Sequence, residues 1–571
     1  KKVLKIWKKL GEKYFIVFIF LASILTSLKF HSGVFLGEDI GGQVKSSIQW
    51  IQGDVIAPNL LLSPSHNDLS KNSSTWCLRP PGATLLPLPG MLLGMSVGNS
   101  IQIALFICSI VGGTGWLTLF SKFKIHKSIL LLASILCSFL TSEFISVFSS
   151  ANIILYAIVP WFLVWILKLD SIAEEGHFSF KNSLKLSACL FLLGCFAWIK
   201  LSGLIVGGTI AASLLSLVLL NCPSKKRLHI FYKFIFIGIV FWIPFFSLEK
   251  INSNLSGKTA EQAYSEVVSD AEYPLTGKYW LESTTSGWLV WSLAAGPGYS
   301  LPSRQIAIGF RDFIKQFENA RKWLDKLKIN EHVLLAGIVS ICLTLLLFLE
   351  TKNAFYFFSH HQKIILTLFF VLPFIGLAII ACRFQWNYLL YHAHTFEFWI
   401  IFIIPTMIAI SCSTRLPLRS YIFFGIMFAL PICNNFETII RNISPTHLTN
   451  KSKWDLCKNR YDPVIEIAEK DSTNPYDILF FMPHGNSSDL IVRTTMRTKS
   501  THFSGDNFPK SMPFSTTKSL NIYCAYDSIL RSNKAFIQSL NTKFPQQIES
   551  KIICSGDIIL RKIKLSNNKN G

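Results

Sequence analysis

Glu38 and Asp39 stand side by side in the stretch Gly-Glu-Asp-Ile-Gly-Gly-Gln (37–43). Carboxylates of this kind can act as a general base toward a hydroxyl or an amine. They can also hold a divalent cation such as magnesium or manganese. The glycines beside them leave backbone room for a ligand. The plainer reading of either acid alone is a solvated loop residue. Val44, Ile48, Ile51 and Val55 then recur at helical spacing, with Gln43, Ser47, Gln49 and Gln52 between them. That pattern predicts an amphipathic helix lying in an interface, its apolar stripe toward lipid or protein. Asp54 closes this helix, either as a second acid or as a helix-end structural residue. Arg79 opens the run Arg-Pro-Pro-Gly-Ala-Thr-Leu-Leu-Pro-Leu-Pro-Gly (79–90), whose prolines predict a stiff apolar re-entry. Asp54 and Arg79 are candidates for the wall of a substrate cavity.

A second group of polar residues lies far along the chain, in Arg383-Phe-Gln-Trp-Asn-Tyr (383–388), Tyr391, His392, His394 and Glu397. A guanidinium at Arg383 can pair bidentately with phosphate, or snorkel from an apolar helix to an interface. His392 and His394 are two positions apart, so on a helix they face different sides. They suit the polar wall of a cavity better than a shared metal. Glu397 begins an apolar run, where an ionisable side chain is a functional candidate by default.

The elements that must hold these residues are set by composition. Of 571 residues, 50% are apolar, only 15% are charged and 47 are phenylalanine, and the mean hydropathy is +0.41. Soluble proteins carry about 25% charged residues, so an ordinary water-soluble enzyme is excluded, as is a disordered chain. Apolar runs long enough to cross about 30 Å of hydrocarbon lie near 14–30, 99–120, 129–149, 152–168, 185–201, 203–220, 231–248, 331–350, 364–382, 396–412 and 419–437. The expected fold is therefore a polytopic α-helical membrane protein of about eleven transmembrane helices. The thinnest break is the one at Lys200 and Gly203.

The net charge of +22 invites a nucleic-acid reading, but the basic residues are spread over separate loops and the tail. The lysines of 1–13, the loop 121–127, Lys225, Lys226 and Arg227, and the pair Arg415 and Arg419 all fall on one side when eleven spans are threaded in order. The positive-inside rule makes that side cytoplasmic. Segments 31–98, 249–330 and 438–571 are then extracytoplasmic. Residues 1–437 form the membrane domain. Residue choice rich in Lys, Ile, Phe and Asn points to a bacterial inner membrane.

The second outer loop carries an amphipathic helix around Ile306–Leu327. It is either an interfacial packing element or, through Arg311, Lys315 or Arg321, a contact for anionic lipid. The tail 438–571 is more polar. Its short apolar runs Tyr476–Met482, Leu490–Val492, Leu520–Tyr526 and Ile552–Leu560 alternate with helical stretches at 461–470 and 528–540, which predicts a small α/β domain. Cys524 and Cys554 fall on expected strands, where a disulfide can form.

The order of a short N-terminal end, one span, the Glu38-Asp39 motif, an interfacial helix and the Pro-Pro-Gly stretch resembles the GT-C superfamily of integral-membrane glycosyltransferases. The resemblance covers the topology of most of the chain, and its sequence motifs are short. It implies a polyprenyl-phosphate-linked sugar as donor and an extracytoplasmic acceptor, a glycan, lipid or protein. It further implies Asp39, with Glu38 as second choice, as catalytic base or metal ligand, and Arg383 near the lipid phosphate. The alternatives are a lipid-linked polysaccharide polymerase or ligase, a transporter or flippase, and a non-catalytic scaffold. No internal repeat supports a transporter.

Overall fold

The apolar runs of the N-terminal half become helices wherever a computed structural model describes the chain. The described residues are 13–30, 35–36, 38–53, 80–122, 127–148, 151–168, 180–200, 203–221, 224–256, 462–471, 478–482, 501–504, 520–527, 534–543, 550–553 and 558–565. The expected spans between 331 and 437, nearly all of the loop 249–330 and the domain boundary at 437 lie outside them.

The first span is α1 (Tyr14–Phe30), followed by a two-residue strand β1 (Phe35–Leu36) and α2 (Glu38–Ile51). Two short helices, α3 (Gly82–Leu85) and α4 (Leu88–Leu92), lead into α5 (Val97–Ser121). Then come α6 (Lys127–Ser146), β2 (Val147–Phe148), α7 (Asn152–Lys168), α8 (Phe180–Gly194), α9 (Phe196–Ile199), α10 (Gly203–Asn221) and α11 (Ser224–Ser256). Six of the first seven expected spans therefore fall each on a helix, and the one expected at 185–201 is divided between α8 and the four-residue α9 at Cys195. Among the described residues α5 is long and apolar enough to cross a membrane by length and composition. Its start is set by Ser96, whose hydroxyl accepts from the Asn99 amide at 3.3 Å.

Helix pairing follows an up-and-down course: α1 packs on α6, α5 on α6 and α7, and α8 on α10 and α11. One face of α1 is interior, at Phe18, Ala22 and Leu25, while Ile16, Phe20, Ile24 and Leu28 are exposed. On α11, Phe231, Tyr232, Ile235, Ile239, Trp242 and Phe246 are likewise exposed. Glycines set the closest approaches. A methyl on Gly113 would strike the Phe18 ring, and one on Gly112 would strike the Tyr156 ring. Pro160 removes the helical donor of the Tyr156 carbonyl, and Gly112 packs against that carbonyl. Hydrogen bonds cross between helices at Ser138 Oγ to the Phe18 carbonyl (3.1 Å), Trp161 Nε1 to the Val111 carbonyl (3.0 Å) and Trp198 Nε1 to the Pro244 carbonyl (2.7 Å).

The tail is an α/β unit, as its alternation predicts. It comprises α12 (Asp462–Asp471), β3 (Ile478–Met482), β4 (Thr501–Ser504), β5 (Leu520–Asp527), α13 (Lys534–Lys543), β6 (Ser550–Ile553) and β7 (Ile558–Leu565). The sheet order is β4-β3-β5-β7-β6. β3 pairs in parallel with β4 and β5, and β7 runs antiparallel to both β5 and β6. The central strand β5 buries Ile522, Tyr523 and Cys524 in succession, as a strand covered on both faces does. The expected strand across 552–560 is instead two strands, because Ser555, Gly556 and Asp557 between them have turn chemistry. The helix expected at 528–540 starts later, at Lys534.

The Cys524–Cys554 disulfide is also corrected. Cys524 is a free, buried thiol. Cys554 lies outside the described residues. Burial raises the Cys524 thiol pKa, and the nearby Arg561 offsets part of that rise.

Asp471 ends α12 and ties it to the sheet. The same carboxylate oxygen accepts from Lys562 Nζ at 2.8 Å and from the Tyr523 hydroxyl at 3.3 Å, and Tyr523 and Lys562 are direct cross-strand partners. A helix C-terminus disfavours an acid, and Lys562 offsets this. Asp471→Asn is expected to loosen α12 by about 1 kcal/mol. Amide exchange in α12 should accelerate about fivefold, and unchanged protection would show that the bridge does not hold the helix.

Candidate functional site

The Glu38-Asp39 motif opens a helix. Both residues belong to the first turn of α2, so they do not sit on a loop ahead of it. The glycines Gly41 and Gly42 fall within the same helix. The backbone amides of that turn have no helical acceptor, and the positive end of the helix dipole favours negative charge there. α2 ends at Ile51 and turns through Gln52 and Gly53. Asp54 lies outside the described residues, as do Arg79, Arg383, His392, His394 and Glu397.

α2 does not expose a polar face. Every residue from Ile40 to Gln49 is buried, including Gln43, Lys45, Ser46, Ser47 and Gln49. Of the two settings its stripe allows, protein is the one found, and protein covers the opposite face too. Burial pushes the Lys45 ammonium pKa down to about 8. Trp50, half-buried, is where the helix emerges.

A closed ring of contacts holds the start of this helix. β1 pairs in parallel with β2, Phe35 opposite Val147 and Leu36 opposite Phe148. This brings the end of the first span beside the end of α6. From α2, the Ser47 hydroxyl donates to the Thr84 carbonyl at 2.6 Å, fastening α3. From α3, Gly82 approaches α9 so closely that a methyl there would lie 2.6 Å from the Ile199 Cα. α9 ends at Ile199, and the next residue, Lys200, is extended (φ −160°, ψ 140°). Lys200 Nζ donates to Asn152 Oδ1 at 3.0 Å. Asn152 is the first residue of α7, just beyond β2, which completes the ring. The Pro-rich re-entry is thus partly helical, with Pro81 and Pro87 at the N-caps of its two short helices, where a missing amide costs nothing.

The ring brings the Glu38-Asp39 turn, Asn152 and Lys200 to one end of the bundle. The exposed basic residues Lys122, Lys127, Lys225 and Arg227 belong to the opposite helix ends. Two residues of interest were not among the sequence candidates for this site. Lys200 is legible as a charge at a thin break between spans. Glu143, in the last turn of α6, is legible as an acid inside an apolar run.

Successive helix positions are about 100° apart, so Glu38 and Asp39 are poorly set to chelate one ion together. A magnesium or manganese ion there would take one of these carboxylates and draw its other ligands from elsewhere. Among the described residues no three His, Cys, Asp or Glu side chains come together. The depression on α13 lined by Ile537, Gln538, Asn541 and Thr542 comes from a single helix and gathers no charged or nucleophilic group.

Comparison with known proteins adds no relative: no protein-family model, no curated protein and no solved structure matches the chain.

Proposed function

We propose that the chain is an integral-membrane glycosyltransferase of the GT-C kind, transferring a sugar from a polyprenyl-phosphate-linked donor to an acceptor on the extracytoplasmic side. The observation that carries this reading is the position of the Glu38-Asp39 turn. It lies at the end of the bundle opposite the basic loops, in a ring with a lysine and the re-entrant segment of the first loop. The exposed apolar faces of α1 and α11 support a membrane setting, since exposed apolar surface on this scale is uncommon in soluble monomers. By the basic loops, the ring end is extracytoplasmic, and the resemblance and residue choice favour a bacterial inner membrane.

In this reading Asp39 removes the proton of the acceptor hydroxyl or amine, with Glu38 the second choice. The acceptor attacks the anomeric carbon, the bond to the carrier phosphate breaks, and the carrier leaves as polyprenyl phosphate. A single displacement inverts the anomeric centre. Arg383 is the candidate ligand of the departing phosphate, and Asp54, Arg79, His392, His394 and Glu397 are candidates for the cavity wall. A divalent cation, held by one of the first-loop acids, would supply further charge neutralisation at the phosphate. The transporter alternative draws on the chain break at Lys200. That break lies at the end of the bundle, where two helices join, which fits a site open to the outside better than a midplane gate.

The test is sugar transfer by the purified protein in lipid nanodiscs, from a polyprenyl-phosphate sugar to water-soluble and lipid acceptors. Transfer of label supports the enzyme, whereas movement of the lipid-linked sugar between leaflets without transfer supports the flippase. Arg383→Ala is expected to weaken donor binding about tenfold or more, the scale of a charge-assisted hydrogen bond, and to leave acceptor binding unchanged. Unchanged donor affinity would remove Arg383 from the phosphate site.

A further inference from the structure

We infer that the turn at Leu92 and Leu93, where α4 ends, is a lipid-inserted wedge, its two leucine side chains lying among the acyl chains of the outer leaflet. The inference rests on the membrane setting of the reading above and goes beyond it, since it does not depend on sugar transfer.

Leu92 and Leu93 are 74% and 78% exposed, more than any other large apolar side chain among the described residues. Their exposure is built into the backbone. α4 begins after Pro87 and carries Pro89 in its first turn, where proline stiffens the chain. It ends in a Schellman closure: the Met95 amide donates to the Gly90 carbonyl at 3.1 Å and the Gly94 amide to the Met91 carbonyl at 3.0 Å. Gly94 takes the left-handed conformation this closure needs, with φ 80°. Such a closure usually packs the residue after the glycine on a side chain of the last helical turn. Here that partner position is Gly90, which has no side chain, and Met95 stays exposed. Gly90 is required by its neighbour: a Cβ there would lie 2.8 Å from Ser100 Oγ and 3.0 Å from Ser100 Cα, so α4 is pressed onto α5. The turn is thus held firmly on α5 with both leucines outward.

Three features point to lipid as the occupant. No charged residue occurs between Pro80 and Ser121, whereas a protein-docking patch carries a polar rim. The turn leads straight into α5, which is long and apolar enough to cross a membrane and exposes Ile107 and Val111 along its length, so apolar surface continues from one element to the next. Depth agrees as well. The 25 residues of α5 rise about 37 Å, against about 30 Å of hydrocarbon. With Lys122 at the cytoplasmic boundary, the start of α5 reaches the outer one, and Leu92 and Leu93 come just before it. An apolar tip at that depth lies at the boundary of headgroups and acyl chains. The competing occupants are another segment of this chain and a second copy.

The experiment uses the full chain in nanodiscs of phosphatidylethanolamine and phosphatidylglycerol. The photo-crosslinking residue p-benzoylphenylalanine replaces Leu93, Ile107 or Gln538, one at a time, and adducts are identified by mass spectrometry after irradiation. Gln538 is exposed on the polar helix α13. Lipid adducts are expected at Leu93 in a yield comparable to that at Ile107, and are expected to be lost at Gln538. Peptide adducts at Leu93, from this chain or from a second copy, with lipid adducts at Ile107, overturn the proposal and leave the membrane setting standing. Lipid adducts at Leu93 no more abundant than at Gln538 also overturn it. No lipid adduct at either Leu93 or Ile107 removes the membrane setting and the proposal with it. If the protein labelled at Leu93 fails to fold, Leu92 takes its place under the same criteria. Lipid adducts at Leu93 in a protein that transfers no sugar leave the wedge standing while the glycosyltransferase reading fails.

Discussion

Asp39→Asn is expected to lower sugar transfer by about 10²–10⁴-fold, the usual contribution of a positioned general base, while leaving the protein folded. The structure makes this substitution a clean one. Asp39 is the second residue of α2, where a side-chain oxygen can serve the free amides of the first turn. Asparagine keeps such an oxygen and loses only the charge. The lost charge–dipole interaction is worth about 0.3–1 kcal/mol, too little to unfold a helix that is buried from Ile40 to Gln49. A loss of activity with an unchanged melting midpoint therefore reports on chemistry. Glu38→Gln separates the two acids. Because neighbouring helix positions are about 100° apart, one hydroxyl meets one carboxylate, and Glu38→Gln is expected to cost less than about tenfold by the same scale. The reverse ranking would transfer the role to Glu38. Full activity in both variants would show that the first-loop acids are not the base.

Gly194→Ala should be among the most damaging single-methyl additions in the bundle. A Cβ at Gly194 would stand on the Phe241 carbonyl oxygen, 3.0 Å from the carbonyl carbon and 3.2 Å from Pro244 Cδ. These atoms belong to the backbone and a proline ring, so no rotamer change relieves the clash, and α8 and α11 must separate. Overpacking typically costs 1–3 kcal/mol and more when the neighbours cannot give. In a bilayer, burying apolar surface between helices gains little over lipid, so close approach and interhelical hydrogen bonds carry the association. Separation of α8 from α11 would also strain the Trp198–Pro244 bond and, through α9, the ring at Lys200. The detergent-solubilised variant should melt lower by about 5 °C or more. Gly238→Ala is the control on the same helix pair. No atom lies within 4 Å of a Cβ at Gly238 in α11, and replacing a mid-helix glycine gains roughly 0.5–1 kcal/mol. Melting of Gly194→Ala at or above wild type would mean that the α8–α11 approach is not this close.

Much of the helical layout is legible in the chain itself. The spans at 14–30, 152–168 and 203–220 coincide with α1, α7 and α10 to within a residue, because a long apolar run is a local property that neighbouring residues decide together. The tail's class and its strands at 478–482 and 520–527 are legible for the same reason. The division into strands at 550–553 and 558–565 is less so, since one apolar run covers parts of both and only Ser555, Gly556 and Asp557 interrupt it in the sequence.

The candidate site is legible only in its parts. The sequence alone determined that two adjacent acids follow the first span, that a helix with a polar face comes next and that a lysine interrupts two spans. Tertiary structure decided that the acids begin the helix, that its polar face is buried, and that Lys200 and Asn152 stand at the same end of the bundle. The contacts responsible join Leu36 to Phe148, Ser47 to Thr84, Gly82 to Ile199 and Asn152 to Lys200. Hydropathy sums over neighbours and is blind to pairs so far apart in the chain. Such pairs exist only when backbones approach closely enough for a glycine to be required or an ammonium to reach an amide, and that approach is a property of the packed bundle.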